Sequence, residues 1–253
     1  MKERADKLLV ELGFAKTRSQ AKLLIQNGVV TFRSNIVTKS GEMVDAEGLV
    51  VTEEQKYVGR GGYKLEGALD SFSQSVKGLV VADVGASTGG FTNVLLNSGV
   101  KKVFAIDVGT DQLHQELLGD DRVINLERTN IREIDWHYEL VDGAVVDLSY
   151  ISLKLVLKKI FEIVRMGGFI IALYKPQFEV GKDNIGKNGI VKDEAIRKKV
   201  LKDFLIWCQS EKYYFAGIIN SPITGKDGNV EYFINFIKTD RPPDLSLDIL
   251  PEM

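Results

Sequence analysis

The stretch Val80-Val81-Ala82-Asp83-Val84-Gly85-Ala86-Ser87-Thr88-Gly89-Gly90-Phe91-Thr92 constrains this chain more than any other. It opens as an apolar run suited to a buried strand and turns sharply through Gly85 to Gly90. A helical pattern, Phe91 to Asn97, follows at once. Strand, tight glycine turn and helix N-terminus together make the mononucleotide-binding corner of a doubly wound sheet. Glycine lets the backbone approach a ligand closely, and the free N–H groups of the helix face it. The loop carries no lysine, so it is not a phosphate-cradling Walker loop, and its spacing departs from G-x-G-x-x-G. What it predicts is a nucleoside cofactor.

The sequence after the corner alternates between strand and helix signals. Val103–Asp107, Arg122–Leu126, Val141–Asp147 and Phe169–Lys175 read as strands, with helices over about 153–164 and 193–210. Two last strands, 214–219 and 230–237, form a late pair, which fits the methyltransferase variant of the sheet better than a plain dinucleotide fold. Ligands of such sheets bind beyond the carboxyl ends of the strands. Asp83, Asp107, Asp147 and Lys175 end strands there, and Glu231 opens an antiparallel strand whose start shares that rim. Asp107 falls about twenty residues after the glycine loop, where these folds place the carboxylate that accepts from ribose hydroxyls.

Composition narrows the function classes. With 44% hydrophobic and 27% charged residues over 253 positions, the chain is ordinary for a globular protein of one large and one small domain. Cys208 is the only cysteine, and His114 and His137 are the only histidines, so neither a disulfide nor a metal site is expected. No window approaches the roughly 18 apolar residues of a bilayer span, and the N-terminus is charged from the start. A cytoplasmic protein is expected. The net charge of −2 hides an asymmetry, because residues 1–40 carry eight Lys/Arg against three Asp/Glu. A local basic patch of this kind suits a nucleic-acid contact on one face.

That basic region reads as two short amphipathic helices, with Leu8, Leu9 and Leu12 and then Ala21, Leu24 and Ile25 at helical spacing. Thr17 or Ser19 can cap the second helix, and a strand begins at Val29. Arg4, Lys16, Arg18 and Lys22 are placed to share a face. The segment Glu53-Glu54-Gln55-Lys56 reads as a solvated linker, and Gly59-Arg60-Gly61-Gly62 as a hinge before the next helix. Lys64 then falls on the same helical side as Leu65 and Ala68, where a desolvated ammonium needs an anionic partner.

The pattern R-x-D-x-L-L-x-x-x-G followed by S-x-x-A-x-x-L-I-x-x-G-x-V resembles the S4-like RNA-binding domain, with one departure. The family's Val-Asn-Gly turn is replaced by Phe32-Arg33-Ser34-Asn35. The strings Gly85–Thr92, Leu126–Asn130, Asp147-Leu148-Ser149-Tyr150-Ile151-Ser152, Lys175-Pro176-Gln177-Phe178-Glu179-Val180-Gly181 and Gly228–Phe233 resemble the TlyA family. Its members are S4-bearing relatives of the FtsJ/RrmJ ribose methyltransferases, long labelled hemolysins. The resemblance runs in order from about residue 2 to residue 238.

This resemblance implies an α/β, Rossmann-like S-adenosylmethionine-dependent methyltransferase fold with a seven-stranded mixed sheet and a small N-terminal α+β domain. The S4-like domain and linker would cover 1–56, the methyltransferase domain 57–240 and an extended tail 241–253. It implies 2′-O-methylation of cytidine in ribosomal RNA, with ribosomal RNA or ribosomal subunits as partners, no membrane and no metal. The family's Lys-Asp-Lys-Glu tetrad maps onto Lys64, Asp147, Lys175 and Glu231. Lys175 is the candidate base, its pKa expected to fall beside a second cation and under partial burial. Asp83, Gly85, Ala86, Ser87, Thr88 and Gly89 would pass along the cofactor, Asp107 would hold its ribose, and Thr129 or Asn130 would meet the adenine. Arg4, Lys16, Arg18, Lys22 and Arg60 are the RNA-binding candidates, with Lys182 and Lys187 in a glycine-rich loop over the site. Tyr150 would stack on a base or simply pack. The alternatives are a dinucleotide-linked oxidoreductase, a membrane-active hemolysin with no visible insertion element, and a non-catalytic binder of cofactor and RNA.

Overall fold

The computed structural model describes residues 2–26, 28–52, 56–181, 185–186, 189–225 and 227–243. Lys182, Lys187, most of the expected linker and the tail from 244 onward lie outside them.

In the N-terminal domain, β1 (Glu3–Arg4) leads into α1 (Ala5–Glu11) and α2 (Arg18–Gln26). Then come β2 (Val30–Phe32), β3 (Asn35–Ile36), β4 (Met43–Val44) and β5 (Leu49–Val51). β2 is flanked by β3 and β5, and β1 pairs with β4. Leu9, Ala21, Ile25, Val30 and Val44 close one small core. Thr17 is the helix cap, its Oγ1 accepting from Gln20 N–H at 3.2 Å.

Phe32 pairs with Asn35, so the β2–β3 turn has two central residues, Arg33 and Ser34, at φ 51° and 69°. Positive φ at both is the hairpin turn that matches strand twist. The conformation that Asn-Gly would adopt easily is therefore kept by two residues that dislike it. Arg33 is held there by Asp45, 2.9 Å from its Nη2.

The large domain continues with α3 (Gly61–Ser71), β6 (Val80–Val84), α4 (Gly90–Asn97), β7 (Lys102–Ile106) and α5 (Gln115–Leu118). β8 (Val123–Leu126), β9 (Val141–Val146), α6 (Leu157–Ile163), β10 (Val164–Tyr174), α7 (Glu194–Ser210), β11 (Phe215–Asn220) and β12 (Tyr232–Ile237) complete it. The seven-stranded sheet has the order β11-β12-β10-β9-β6-β7-β8. Strands β6 to β10 are parallel, whereas β12 runs antiparallel between β10 and β11. This is the expected mixed sheet with its reversed final strand.

Alternation along each strand feeds two cores. Phe104 and Ile106 of β7 join Ile160 and Phe204 on one face, while Val103 and Ala105 join Leu65 and Leu95 on the other. Burial of a side chain such as Phe91 or Leu95 contributes about 1.5–3 kcal/mol to docking α4. Asp193 caps α7, accepting from the N–H groups of Ala195 and Ile196 at 2.8 and 3.3 Å.

Two local expectations change. The helix expected over 153–164 is a short 3-10 turn, Leu153–Leu155, followed by α6. β10 starts at Val164 instead of Phe169, with its pairing to β9 interrupted where Gly167 takes φ 78°. The backbone there kinks and then rejoins the same strand, which apolar periodicity does not signal.

Candidate active site

The strand order reverses at β6, which lies between β9 and β7, and the crevice opens beyond the carboxyl ends of these strands. Gly85 follows β6 at φ 88°, and a Cβ built on it would stand 2.5 Å from the backbone oxygen of Asp147. Only glycine fits between the two strand ends. Ser87 and Gly89 also take positive φ, 48° and 94°, so the loop folds back on itself, with Gly85 and Ala86 N–H donating to Ile106 O and Gly89 N–H to Ala86 O. The resulting cavity is about 200 Å³ and is lined by Gly59, Arg60, Gly85, Ser87, Asp147 and Lys175, among others.

Asp107 follows β7 directly. Its Oδ2 accepts from Ser87 N–H at 2.8 Å and its Oδ1 from Gly109 N–H at 2.7 Å, so it braces the glycine loop at the crevice mouth. Asp83 is not on the rim. It has the parity of Val81 and points at α4, fully buried. Thr92 Oγ1 donates to its Oδ2 at 2.7 Å, and its Oδ1 has no partner. Burial, aided by the nearby Asp147 charge, pushes its carboxyl up to about 7.

Thr129 and Asn130 are engaged locally. Thr129 Oγ1 donates to Glu127 O, and Asn130 contacts Glu133 and Arg132 N–H. Both line a separate cavity of about 430 Å³ with Arg128 and His137.

The four tetrad residues form two ion pairs. Lys175 Nζ is 2.6 Å from Asp147 Oδ1 and donates to Ser149 Oγ at 3.0 Å, and this pair lines the cavity. Lys64 Nζ is 2.5 Å from Glu231 Oε2, with side chains only 9% and 3% exposed. Lys64 thus finds the anionic partner its helical position demands. Gln177 Nε2 donates to the other oxygen of Glu231 at 3.2 Å, linking the turn after Lys175 to the buried pair. Ser149 and Gln177 lie inside strings already singled out by resemblance, but nothing in their chemistry marked them beforehand.

Gly59 to Gly62 is a packed segment instead of a free hinge. Val58 N–H donates to Asn93 Oδ1, and a Cβ on Gly90 would lie 3.0 Å from Gly62 N. The strap before α3 therefore lies against the glycine loop. Arg60 within it donates to Thr224 O at 3.1 Å while its buried Nε has no partner, and burial lowers its pKa.

Among the basic candidates of the N-terminal domain, Arg4 and Arg18 both bind Asp6, whose side chain is wholly buried, at 3.1 and 2.7 Å. Burial alone would raise the Asp6 carboxyl, but the hydrogen bonds from Arg4 and Arg18 hold it below its ordinary value. The two guanidinium groups are still about half exposed. Lys22, with Lys39 and Arg60, lines a cavity of about 350 Å³ between the two domains. Lys16 is exposed. Tyr150 stands 92% exposed beside Ser149, with φ 64°.

Among the described residues no group of three or more metal-ligating side chains occurs, and no helix is long and apolar enough to cross a membrane.

The comparisons agree with this layout. The FtsJ-like methyltransferase family model matches residues 57–238 and the S4 domain model residues 3–51. The 16S/23S rRNA (cytidine-2′-O)-methyltransferase TlyA of Mycobacterium tuberculosis is 41% identical over 91% of this chain and 88% of its own length. Hemolysin A of Brachyspira hyodysenteriae is 35% identical over 92% of this chain and 99% of its own. A Streptococcus thermophilus structure described as a hemolysin superposes with a TM-score of 0.76 at 41% identity, covering 98% of this chain and 93% of that one. With an S4 domain joined to a methyltransferase domain through a strap packed on the glycine loop, this chain belongs to the TlyA family of FtsJ-like methyltransferases.

Proposed function

We propose that this enzyme methylates the ribose 2′-hydroxyl of a cytidine in ribosomal RNA, using S-adenosylmethionine. The observation that carries the reading is the Lys175–Asp147 pair on the wall of the cavity that the glycine loop also lines. The relatives named for the same reaction give the substrate class.

The residues present fit the cofactor. Gly85, Ala86, Ser87 and Thr88 line the cavity that would take its methionine part, and Gly89, at φ 94°, turns the loop beneath them. Asp107 has carboxylate lone pairs left for ribose hydroxyls, and Thr129 N–H donates to Asp107 O at 2.9 Å, which supports Thr129 and Asn130 as neighbours of the adenine. S-adenosylmethionine supplies an electrophilic methyl group on a sulfonium.

The chain supplies the rest. A ribose hydroxyl is a weak acid, so its oxygen needs a base as it becomes a nucleophile. Lys175 acts in its neutral amine form: Nζ takes the hydroxyl proton and becomes the ammonium that pairs with Asp147 Oδ1 and donates to Ser149 Oγ. The Lys64–Glu231 pair lies behind, neutral as a unit, and through Gln177 it steadies the turn that follows Lys175. Much of the rate comes from orientation. Arg4, Lys16, Arg18, Lys22 and Arg60 offer cationic contacts for the RNA backbone, and Tyr150 offers a ring face for an unstacked base.

The test is incubation with labelled S-adenosylmethionine and ribosomal RNA or whole subunits, followed by nucleoside analysis. Label in a 2′-O-methylcytidine is expected. Lysis of red cells without any transfer to RNA would overturn the reading.

A further inference from the structure

The segment after β10 makes a short 3-10 turn, Pro176–Phe178, and its neighbours reach across to the segment after β9 in three places. Lys175 holds Asp147 and Ser149. The Phe178 ring lies 5.2 Å from that of Tyr150. Glu179 then takes two bonds from the far end, Oε2 from Ser152 Oγ at 2.7 Å and Oε1 from Leu153 N–H at 2.8 Å. Burial raises its pKa, so a carboxyl is being kept out of water for the sake of these two donors.

Tyr150 lies between the first and third of these ties. Its left-handed backbone costs about 1–2 kcal/mol for a side chain of this size. Such a conformation persists only where the surroundings over-determine it. The ring gains little burial in return, since it is 92% exposed. The Phe178 ring is the ring it packs beside, and that contact leaves nearly the whole Tyr150 ring open, so the larger reward lies in what the ring meets.

We propose that Glu179 is a positioning residue for the RNA substrate. By pinning Ser152 and Leu153 it holds Tyr150 upright beside the Lys175–Asp147 pair, where the target nucleotide docks. The inference rests on the reading of the site as an RNA 2′-O-methyltransferase. Glu179 touches neither the glycine loop nor Asp107, and its loss therefore spares the cofactor.

The test compares Glu179→Gln, Tyr150→Ala and their combination with the unaltered enzyme. In Glu179→Gln the amide oxygen can keep Leu153 N–H, but the amide nitrogen then faces Ser152 Oγ, which must turn from donor to acceptor, so that tie reverses and weakens. KM for RNA is expected to rise about tenfold, which is about 1.4 kcal/mol. Affinity for S-adenosylmethionine, measured by calorimetry, is expected to stay the same. If Glu179 acts through Tyr150, the double variant is no worse than Tyr150→Ala alone. Unchanged KM in Glu179→Gln, or additive losses in the double variant, overturns the inference. So does an equal loss of affinity for cofactor and RNA, which marks a merely structural role. Should Glu179→Gln fail to fold, Ser152→Ala removes one tie with Glu179 in place and is read the same way. An unaltered enzyme that transfers no methyl group to any RNA fails at the earlier step, and that result removes the functional reading and this inference together.

Discussion

Lys64 Nζ and Glu231 Oε2 meet at 2.5 Å although 167 positions separate them in the chain. Both side chains are almost fully buried, so each is the other's main compensation for lost solvent. Removing one partner strands a charge, and Lys64→Met or Glu231→Gln alone should cost about 3–5 kcal/mol. The double variant should recover most of that loss, because the remaining groups are neutral. Urea unfolding of the four proteins measures the coupling. Additive losses would show that the pair is not a unit.

Lys175→Ala should lower kcat by at least about 100-fold, the lower range for a proton-transfer residue. Cofactor affinity should survive, since the glycine loop and Asp107 do not depend on this side chain. Single-turnover transfer together with calorimetric cofactor titration checks both halves. Loss of both would mark Lys175 as a structural support.

Asp83 makes stability fall with rising pH. Its carboxyl is pushed up to about 7 in the folded chain, so between its ordinary value and that point the folded state keeps a proton the unfolded state has lost. Its contribution is therefore best in acid, declines from about pH 4 to about pH 7, and then levels off. Asp83→Asn should abolish that decline while still accepting from Thr92, and should stabilise the chain above neutrality by up to about 4 kcal/mol. Unfolding midpoints across this window check it. Parallel pH curves for the two proteins would refute it.

In the N-terminal domain the cations divide by what they hold. Lys16→Ala and Lys22→Ala should weaken RNA binding and each lower the slope of log K against log salt by about 1 for one lost phosphate contact, with the melting temperature unchanged. Arg18→Ala should do the same and also lower the melting temperature, because Asp6 is buried and loses one of its two guanidinium partners. Filter binding over a salt series with thermal melts separates the two classes.

The strand–turn–helix corner was legible because a strand, three glycines and a helix start leave few foldings open. Lys64 was legible for a different reason, a cation on an apolar helix face, and its partner Glu231 followed only from resemblance. Asp83 misled because it ends an apolar run, yet pleat parity turns it inward toward Thr92. Arg33 and Ser34 show the limit of turn chemistry, as neighbouring pairs and Asp45 impose a geometry their own preferences oppose. Ser149, Gln177 and Glu179 gave no signal because their roles are fixed by loops that meet only in three dimensions.

Strand β12 has one further consequence, for the order in which the molecule is made. Among the described residues it is the last strand in sequence, yet it is inserted between β10 and β11. β11 leaves the synthesis machinery first but cannot join the sheet until β12 arrives to bridge it. The same late event brings Glu231 to Lys64, which until then carries an uncompensated charge on the apolar face of α3. A growing chain thus has its glycine loop and the Lys175–Asp147 pair in place before the buried Lys64–Glu231 pair can close, and that closure coincides with completion of the sheet.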